Sequence, residues 1–179
     1  EIMRESFESD SFVGNSLVDL YAKCGSLVDA HGVFDKLEHR DVVSWTALIS
    51  GYAQYGRGHE ALECFEMMER NGFSPNVVTY LCTLKACGLV RAISKGEKIH
   101  ADIVRHRLLE KNIPLGNALI DMYGKHGSLL EAKEVLDEML VKDVVSWTTL
   151  VMAYAKCGYF DDAQECLLRM KEGGVSPNL

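Results

Sequence analysis

Three absences narrow the class of protein that this sequence encodes. The 179 residues include only 3 prolines, and no apolar run reaches the roughly 18 residues that a membrane-spanning helix needs. The 6 histidines and 6 cysteines form no HExxH, HxE or CxxC pattern, so the spacing of common zinc sites is missing. No glycine-rich phosphate loop follows a strand pattern. We therefore expect no membrane span, metal, cofactor, small-molecule substrate or catalysis.

Basic residues are also scarce. Lysine and arginine number 19 against 26 aspartates and glutamates, which gives a formal net charge of −7 and a pI near 5.4. This balance argues against a protein that binds nucleic acid mainly through phosphate attraction. With 47% hydrophobic and 25% charged residues, the chain can bury a core. We interpret the cysteines as free thiols, most of them at small buried helix positions, in a reducing compartment.

The sequence repeats itself over a long period. Residues 14–21 (GNSLVDLY) recur as residues 116–123 (GNALIDMY), and residues 41–46 (DVVSWT) recur as residues 143–148, both 102 positions later. Such self-similarity is the mark of a repeat architecture. The chain starts at Glu1 rather than Met, inside a helix-like stretch without a signal or transit peptide, so we expect that upstream sequence precedes it.

Shorter units lie within this period, and each reads as two helices. One unit shows the apolar stripe Trp45, Leu48, Ile49 and Tyr52, followed after glycines by a second stripe of Ala61, Leu62, Phe65 and Met68. A single helical hairpin cannot bury its apolar face, so neighbouring units must stack. We predict an all-α fold, an α-solenoid of tandem helix-turn-helix repeats. The predicted units are residues 11–41, 42–76, 77–112, 113–143 and 144–178, with 1–10 ending a preceding unit and 179 starting the next.

The residues resemble the pentatricopeptide repeat family, in its plant-type variant with alternating S, P and L motifs. Residues 13–25 (VGNSLVDLYAKCG) look like an S motif, and residues 41–52 (DVVSWTALISGY) look like the start of a P motif. Residues 84–87 (LKAC) with 96–101 (GEKIHA) look like an L motif. The order is S-P-L-S-P, preceded by the tail of an L-like unit that ends at Asp10, and the resemblance covers essentially the whole chain. The resemblance implies a right-handed superhelix that binds single-stranded RNA, in a mitochondrion or chloroplast.

In the family, the fifth and last residues of each repeat select a base. An Asp carboxylate accepts from the ring N–H of uracil or guanine, whereas an Asn amide donates to the bare ring nitrogen of adenine or cytosine. The family places Asn at the fifth position for pyrimidines and Thr for purines. The resemblance therefore implies the order 5′-UAxUA-3′, read by Asn15 with Asp41, Thr46 with Asn76, Asn117 with Asp143, and Thr148 with Asn178.

Leu81 breaks this pattern, because its side chain has no hydrogen-bonding group. The pair Leu81 with Asn112 is expected to read the third base weakly or not at all, and accessory editing-factor proteins dock at L motifs in the family. The second residue of each family repeat stacks on bases. These stacking positions are Phe12, Val43, Val78, Pro114 and Val145.

Two alternatives remain open. Asn and Asp often cap helices, and a threonine such as Thr46 is often an ordinary exposed helix residue, so a single such residue means little. At the level of the whole chain, the solenoid could instead be a structural scaffold for protein–protein contacts in a larger organelle assembly. Lysines along the groove would favour RNA. Such lysines are expected at the ends of first helices, at Lys23, Lys125 and Lys156.

Overall fold

The computed structural model describes residues 11–176, and this part of the chain consists of α-helices joined by short turns. None of the described helices is both long and apolar enough to cross a membrane. In chain order the ten helices are α1 (Ser11–Lys23), α2 (Leu27–Lys36), α3 (Val42–Gln54), α4 (Gly58–Arg70), α5 (Val77–Val90), α6 (Ile93–Arg105), α7 (Ile113–His126), α8 (Leu129–Glu138), α9 (Val144–Lys156) and α10 (Phe160–Glu172).

Aspartates start two of these helices. The Asp41 side chain accepts a hydrogen bond from the Ser44 backbone N–H at the start of α3, and the Ser44 hydroxyl accepts from the Asp41 N–H. Asp143 and Ser146 form the same capping box at the start of α9. Each box satisfies N–H groups that the first turn of a helix cannot pair internally. Helix α7 ends at Gly127, whose φ of 90° suits a residue without a Cβ.

The helices form two compact units that divide after Ala86, inside α5. In the first unit, α1 packs against both α2 and α3, and α3 also packs against α4. In the second unit, α7 packs against α8 and α9, and α9 also packs against α10. In each unit, then, a first helix contacts its own second helix and the first helix of the next hairpin.

The predicted apolar stripes lie in the core. Trp45, Leu48 and Ile49 are at most 1% exposed. The Trp45 ring meets the edge of the Phe34 ring, with ring centroids 4.5 Å apart, a geometry that aromatic pairs favour. The stripe of α4, from Ala61 to Met68, is buried as predicted.

Small residues let neighbouring first helices approach closely. A Cβ added to Gly51 of α3 would lie 2.7 Å from the Ala22 Cβ of α1. At the corresponding contact of the second unit, a Cβ added to Gly124 of α7 would lie 2.6 Å from the Ala153 Cβ of α9. Each contact thus uses one glycine and one alanine, with the two residue types exchanged between the helices.

These observations confirm the predicted all-α helical-repeat fold. The boundaries of the units and their S, P and L classes stay predictions. Two of the six cysteines, Cys24 and Cys157, are exposed next to the ends of first helices, and Cys82 is half-buried. Cys64, Cys87 and Cys166 are buried, and burial raises the pKa of the Cys64 thiol to about 12. Among the described residues, no three His, Cys, Asp or Glu side chains cluster as a metal site would require.

Candidate nucleic-acid interface

The predicted stacking residues occupy the second position of each first helix, and all of them are exposed. Phe12 at the start of α1 is 79% exposed, and Val43 at the start of α3 is 59% exposed. The remaining members of the set, Val78, Pro114 and Val145, also lie exposed. Large apolar side chains held in solvent at a repeated position are suited to contact a ligand.

The first predicted base-reading pair is joined by a hydrogen bond. Asn15 Nδ2 donates to Asp41 Oδ2 over 2.9 Å, while the other oxygen, Asp41 Oδ1, accepts from the Ser44 N–H over 2.9 Å. The carboxylate is therefore held from two sides. Asn15 Oδ1 is buried without a hydrogen-bond partner in the described structure, and one of the two N–H groups of the amide is engaged by Asp41.

The second such pair is also hydrogen-bonded, but there Asn117 and Ser146 share one carboxylate oxygen, Asp143 Oδ1. Asn117 Nδ2 donates to Asp143 Oδ1 over 3.4 Å, and Asn117 Oδ1 is likewise buried and unpaired within the described part. Burial alone would raise the pKa of Asp143. Hydrogen bonds from the backbone and hydroxyl of Ser146 and from Asn117 nevertheless lower that pKa below its ordinary value. Asp143 is thus a carboxylate acceptor at neutral pH.

An open cleft of about 420 Å³ lies beside the first pair. Its walls include the exposed side chains of Phe12 and Val43, and Asn15 and Asp41 also line it. Ser16 and Asp19 complete the lining. Two predicted stacking residues and both members of a predicted base-reading pair therefore share one cleft.

The Thr46 and Asn76 pair is organised differently. Thr46 is only 8% exposed, and its hydroxyl lies 2.7 Å from the Thr79 hydroxyl of α5. Its burial excludes the alternative that Thr46 is an ordinary exposed helix residue. Asn76 is exposed, and its Oδ1 accepts from the Thr79 N–H over 2.9 Å. Thr46 and Asn76 are thus connected through Thr79.

The Thr148 hydroxyl makes a different bond. It donates to the carbonyl of Val144 in its own helix over 2.8 Å, and the Thr148 side chain is half-buried. Its predicted partner, Asn178, lies outside the described residues. Of the fifth predicted pair, the structure therefore describes only Thr148.

The third repeat lacks this kind of cap. Asn112 precedes α7 without a side-chain cap bond, and its Nδ2 donates instead to the carbonyl of Leu108 over 2.8 Å. The residue three positions later is Leu115, which has no hydroxyl. Leu81, the other member of the predicted non-coding pair, is half-buried in α5.

The predicted lysines are partly neutralised by neighbouring acids. Lys23 Nζ lies 2.6 Å from an Asp19 oxygen, and Lys125 Nζ lies 2.6 Å from an Asp121 oxygen. Lys125 and Lys156 also line a cleft of about 110 Å³ between α7 and α9. The lysines are present at the surface, but two of them share their charge with a carboxylate.

Three residues that position the predicted readers were missed in the sequence. Ser44, Thr79 and Ser146 each contact the side chain three positions earlier. The signal was present as a repeated pattern of Asp or Asn, two valines, and Ser or Thr, at residues 41–44, 76–79 and 143–146. Asp or Asn followed three positions later by a hydroxyl residue is a helix-start pattern.

The geometry defines a tandem helical-repeat protein in which each first helix begins with an exposed apolar side chain at its second position. Family models for the PPR repeat match residues 15–42 and 117–144, and a model of the PPR repeat family matches residues 40–88 and 142–179. Together they match most of the chain, which belongs to the pentatricopeptide repeat family.

Relatives and solved structures agree with this assignment. The chain is 37% identical over 177 residues to pentatricopeptide repeat-containing protein At4g18520, chloroplastic, and 38% identical over 177 residues to At2g03880, mitochondrial, both from Arabidopsis thaliana. Each alignment covers 99% of this chain but only 28% of the relative.

The crystal structure of the pentatricopeptide repeat protein PPR10 from maize matches with a TM-score of 0.80 and 25% identity, over 99% of this chain and 26% of that one. PPR10 in complex with an 18-nt psaJ RNA element matches with a TM-score of 0.75 and 26% identity, over 93% of this chain and 26% of that one. Both matches support the α-solenoid fold.

Proposed function

We propose that this chain is a sequence-selective, single-stranded RNA-binding module of an organelle RNA-processing or editing factor, with no catalytic activity of its own. The observation that carries the proposal is the cleft that Phe12 and Val43 line together with Asn15 and Asp41. A base between the two apolar side chains would stack while its edge meets the polar pair. Such stacking contributes about 1–3 kcal/mol per base.

The polar groups support uracil at the first and fourth positions. At the first site, Asn15 donates one amide N–H to Asp41 and keeps the other for a base, and Asp41 supplies a carboxylate acceptor. Uracil offers the complement, a ring N–H beside carbonyl oxygens. Guanine offers a similar edge, and the family's use of Asn at the fifth position favours the pyrimidine. Asn117 and Asp143 repeat this arrangement for the fourth base.

The second and fifth positions are proposed to take adenine. Asn76 is exposed and its Oδ1 is occupied by Thr79, so its amide N–H groups remain to donate to a bare ring nitrogen. Thr148 with Asn178 would act in the same way at the fifth base. With the N-terminus toward the RNA 5′ end, as in the family, the proposed target is 5′-UAxUA-3′.

The third base is proposed to be unread. Leu81 offers no polar group, and the Asn112 amide is engaged by the Leu108 carbonyl. Without a polar partner for the base, this repeat would tolerate any nucleotide. Its predicted L class makes it the proposed docking place for accessory editing-factor proteins.

The setting of the whole protein is also proposed. The chain spans about a quarter of the length of its curated relatives, some of which carry chloroplastic or mitochondrial in their names. We infer an organelle location and an array with further repeats. Tight binding requires a long array, because the free energy gained at each base-binding site is largely offset by the entropy cost of ordering the RNA strand.

A structural scaffold is the second candidate. The ion pairs of Lys23 with Asp19 and of Lys125 with Asp121, on a chain of net charge −7, favour it because they weaken attraction to phosphate. A scaffold would bind another protein and show no preference among RNA sequences.

RNA binding tests the proposal directly. Fluorescence anisotropy would compare RNA containing UAxUA with a scrambled RNA, and with RNAs that replace the first uracil. We expect a preference for UAxUA that Asn15→Ala reduces about five- to 150-fold at the first base, because one base contact is worth about 1–3 kcal/mol. The matched control is Asn112→Ala, which removes an asparagine of the unread repeat and should leave the preference unchanged. Equal binding to both RNAs would exclude sequence-selective reading and favour the scaffold.

A further inference from the structure

Thr79 lies at the centre of a small buried hydrogen-bond network. It is the third residue of α5 and is 0% exposed. Its Oγ1 lies 3.2 Å from the backbone nitrogen of Asn76, 3.1 Å from Asn76 Oδ1 and 2.7 Å from the Thr46 hydroxyl of α3. Thr46 is itself more than nine-tenths buried. A single hydroxyl therefore touches both members of the predicted second base-reading pair.

The directions of these bonds follow from the chemistry of the groups. A hydroxyl donates one hydrogen and accepts two, a backbone N–H only donates, and an amide oxygen only accepts. All three contacts are hydrogen bonds only if Thr79 accepts from the Asn76 N–H, accepts from the Thr46 hydroxyl, and donates to Asn76 Oδ1. The Thr79 N–H donates to the same oxygen over 2.9 Å. The amide oxygen of Asn76 is thus held inward twice, and Nδ2 is left on the opposite side.

The orientation matters at Asn76 more than at the aspartate sites. Both oxygens of a carboxylate accept, so a rotated Asp41 or Asp143 would present the same chemistry. An amide has one donating and one accepting side, and rotation of Asn76 would replace a donor by an acceptor. The edge it complements would then change from that of adenine to that of guanine.

A natural contrast exists in the same chain. Asn112 also precedes a first helix, but Leu115 stands where Thr79 stands relative to Asn76. The Asn112 amide has no cap bond and turns to the Leu108 carbonyl. Asn112, which has no hydroxyl residue three positions later, thus makes none of the bonds that hold the Asn76 amide.

We propose that Thr79 is a positioning residue that makes the second site selective for adenine over guanine by fixing the amide of Asn76, with the hydroxyl of Thr46 holding Thr79 in place. This inference rests on the proposed function. It assigns base selectivity to a residue that has no accessible surface and so touches no RNA.

The test measures selectivity separately from affinity. Anisotropy titrations of the 179-residue chain would use UAxUA, the same RNA with guanine at the second base, and the same RNA with guanine at the fifth base. Thr79→Val replaces the hydroxyl by a methyl group of similar size. We expect about a five- to tenfold loss of discrimination at the second base, the size of one net hydrogen bond, with discrimination at the fifth base retained. Thr79→Ser keeps the hydroxyl and should discriminate adenine from guanine at the second base as the wild type does.

Control variants separate this role from general destabilisation. Thr83→Val removes another fully buried hydroxyl of α5, one that donates to the Thr79 carbonyl, and should leave discrimination intact. Thr79→Ala serves if the valine variant does not fold. Unchanged discrimination in Thr79→Val, or an equal loss of affinity for every RNA, would overturn the inference. A wild-type chain that binds UAxUA but does not distinguish adenine from guanine at the second base would overturn it too. If the wild-type chain bound none of the bases selectively, the proposed function would be refuted instead.

Discussion

Two of the residues proposed to read bases, Asp41 and Asp143, also stabilise the helices that they precede. Asp41 and Asp143 each cap a first helix, and loss of such a cap costs about 1 kcal/mol of stability. Substitution of either aspartate would therefore change folding and RNA binding together. Asn15 and Asn117 bond to the aspartates but cap no helix themselves. At the scale of single residues, the asparagines are the cleaner probes of base reading.

His100 should make stability depend on pH. Its Nδ1 lies 3.0 Å from the Tyr123 hydroxyl, and burial lowers the pKa of His100 below its ordinary value of 6.5, against opposing effects of Glu138 and Glu134. The unfolded chain therefore takes up a proton at a higher pH than the folded chain. The stabilisation is complete above the unfolded pKa and is lost as the pH falls through 6.5 toward the folded pKa.

Urea unfolding at about pH 7.5 and about pH 5.5 would measure this effect, since the two conditions bracket the unfolded histidine pKa. The free energy of unfolding should fall more on acidification for the wild type than for His100→Gln. His59→Gln, at an exposed position of α4, should behave as the wild type. The same pH dependence in wild type and His100→Gln would show that another group is responsible.

At the scale of helices, close approach between neighbouring first helices depends on a glycine–alanine contact. Gly51→Ala would place a Cβ 2.7 Å from the Ala22 Cβ and 3.2 Å from its backbone Cα, so α1 and α3 must separate. We expect a loss of about 1–3 kcal/mol, as for other overpacked contacts. Gly32→Ala in α2 meets no atom within 4 Å and should instead stabilise by about 0.5–1 kcal/mol. Thermal and urea unfolding would measure both changes.

The second unit supplies the compensating change. It carries glycine on the earlier helix and alanine on the later one, at Gly124 and Ala153. The double variant Ala22→Gly with Gly51→Ala copies this arrangement into the first unit. It should be less destabilised than the sum of the two single variants, because the pair is in contact. Strict additivity would mean that the contact does not limit the approach of α1 and α3.

The helices and their buried faces could be predicted from the sequence because helical periodicity is a local signal. The stripe from Trp45 to Tyr52 predicted both α3 and its buried face. The burial of Thr46 was not predicted, since it depends on Thr79, which lies 33 positions away and meets it only in the folded chain. The exposure of Cys24 and Cys157 was missed for a related reason. A small residue at a helix end is buried only if a neighbouring element covers it.

At the scale of the whole chain, the proposed binding of RNA requires that affinity come mainly from bases rather than phosphates. The net charge is −7, and Lys23 and Lys125 each share their charge with an aspartate. If only the three lysines at the ends of first helices contact phosphates, the slope of log K against log salt for single-stranded RNA should be about −2, from about −0.7 for each contact. Anisotropy titrations of UAxUA over a range of salt concentrations would give this slope.

Single lysine variants distinguish phosphate contacts from base contacts. Lys156→Gln should weaken binding to every RNA alike and make the slope shallower by about 0.7, whereas Asn15→Ala should change sequence preference and leave the slope unaltered. Lys171→Gln, in the second helix of the last hairpin, should change neither. A much steeper slope would mean that phosphate contacts extend beyond the first helices. A salt slope near zero, with the preference for UAxUA preserved, would mean that the affinity comes from the base-binding sites alone. Each repeat added to the array would then increase the affinity.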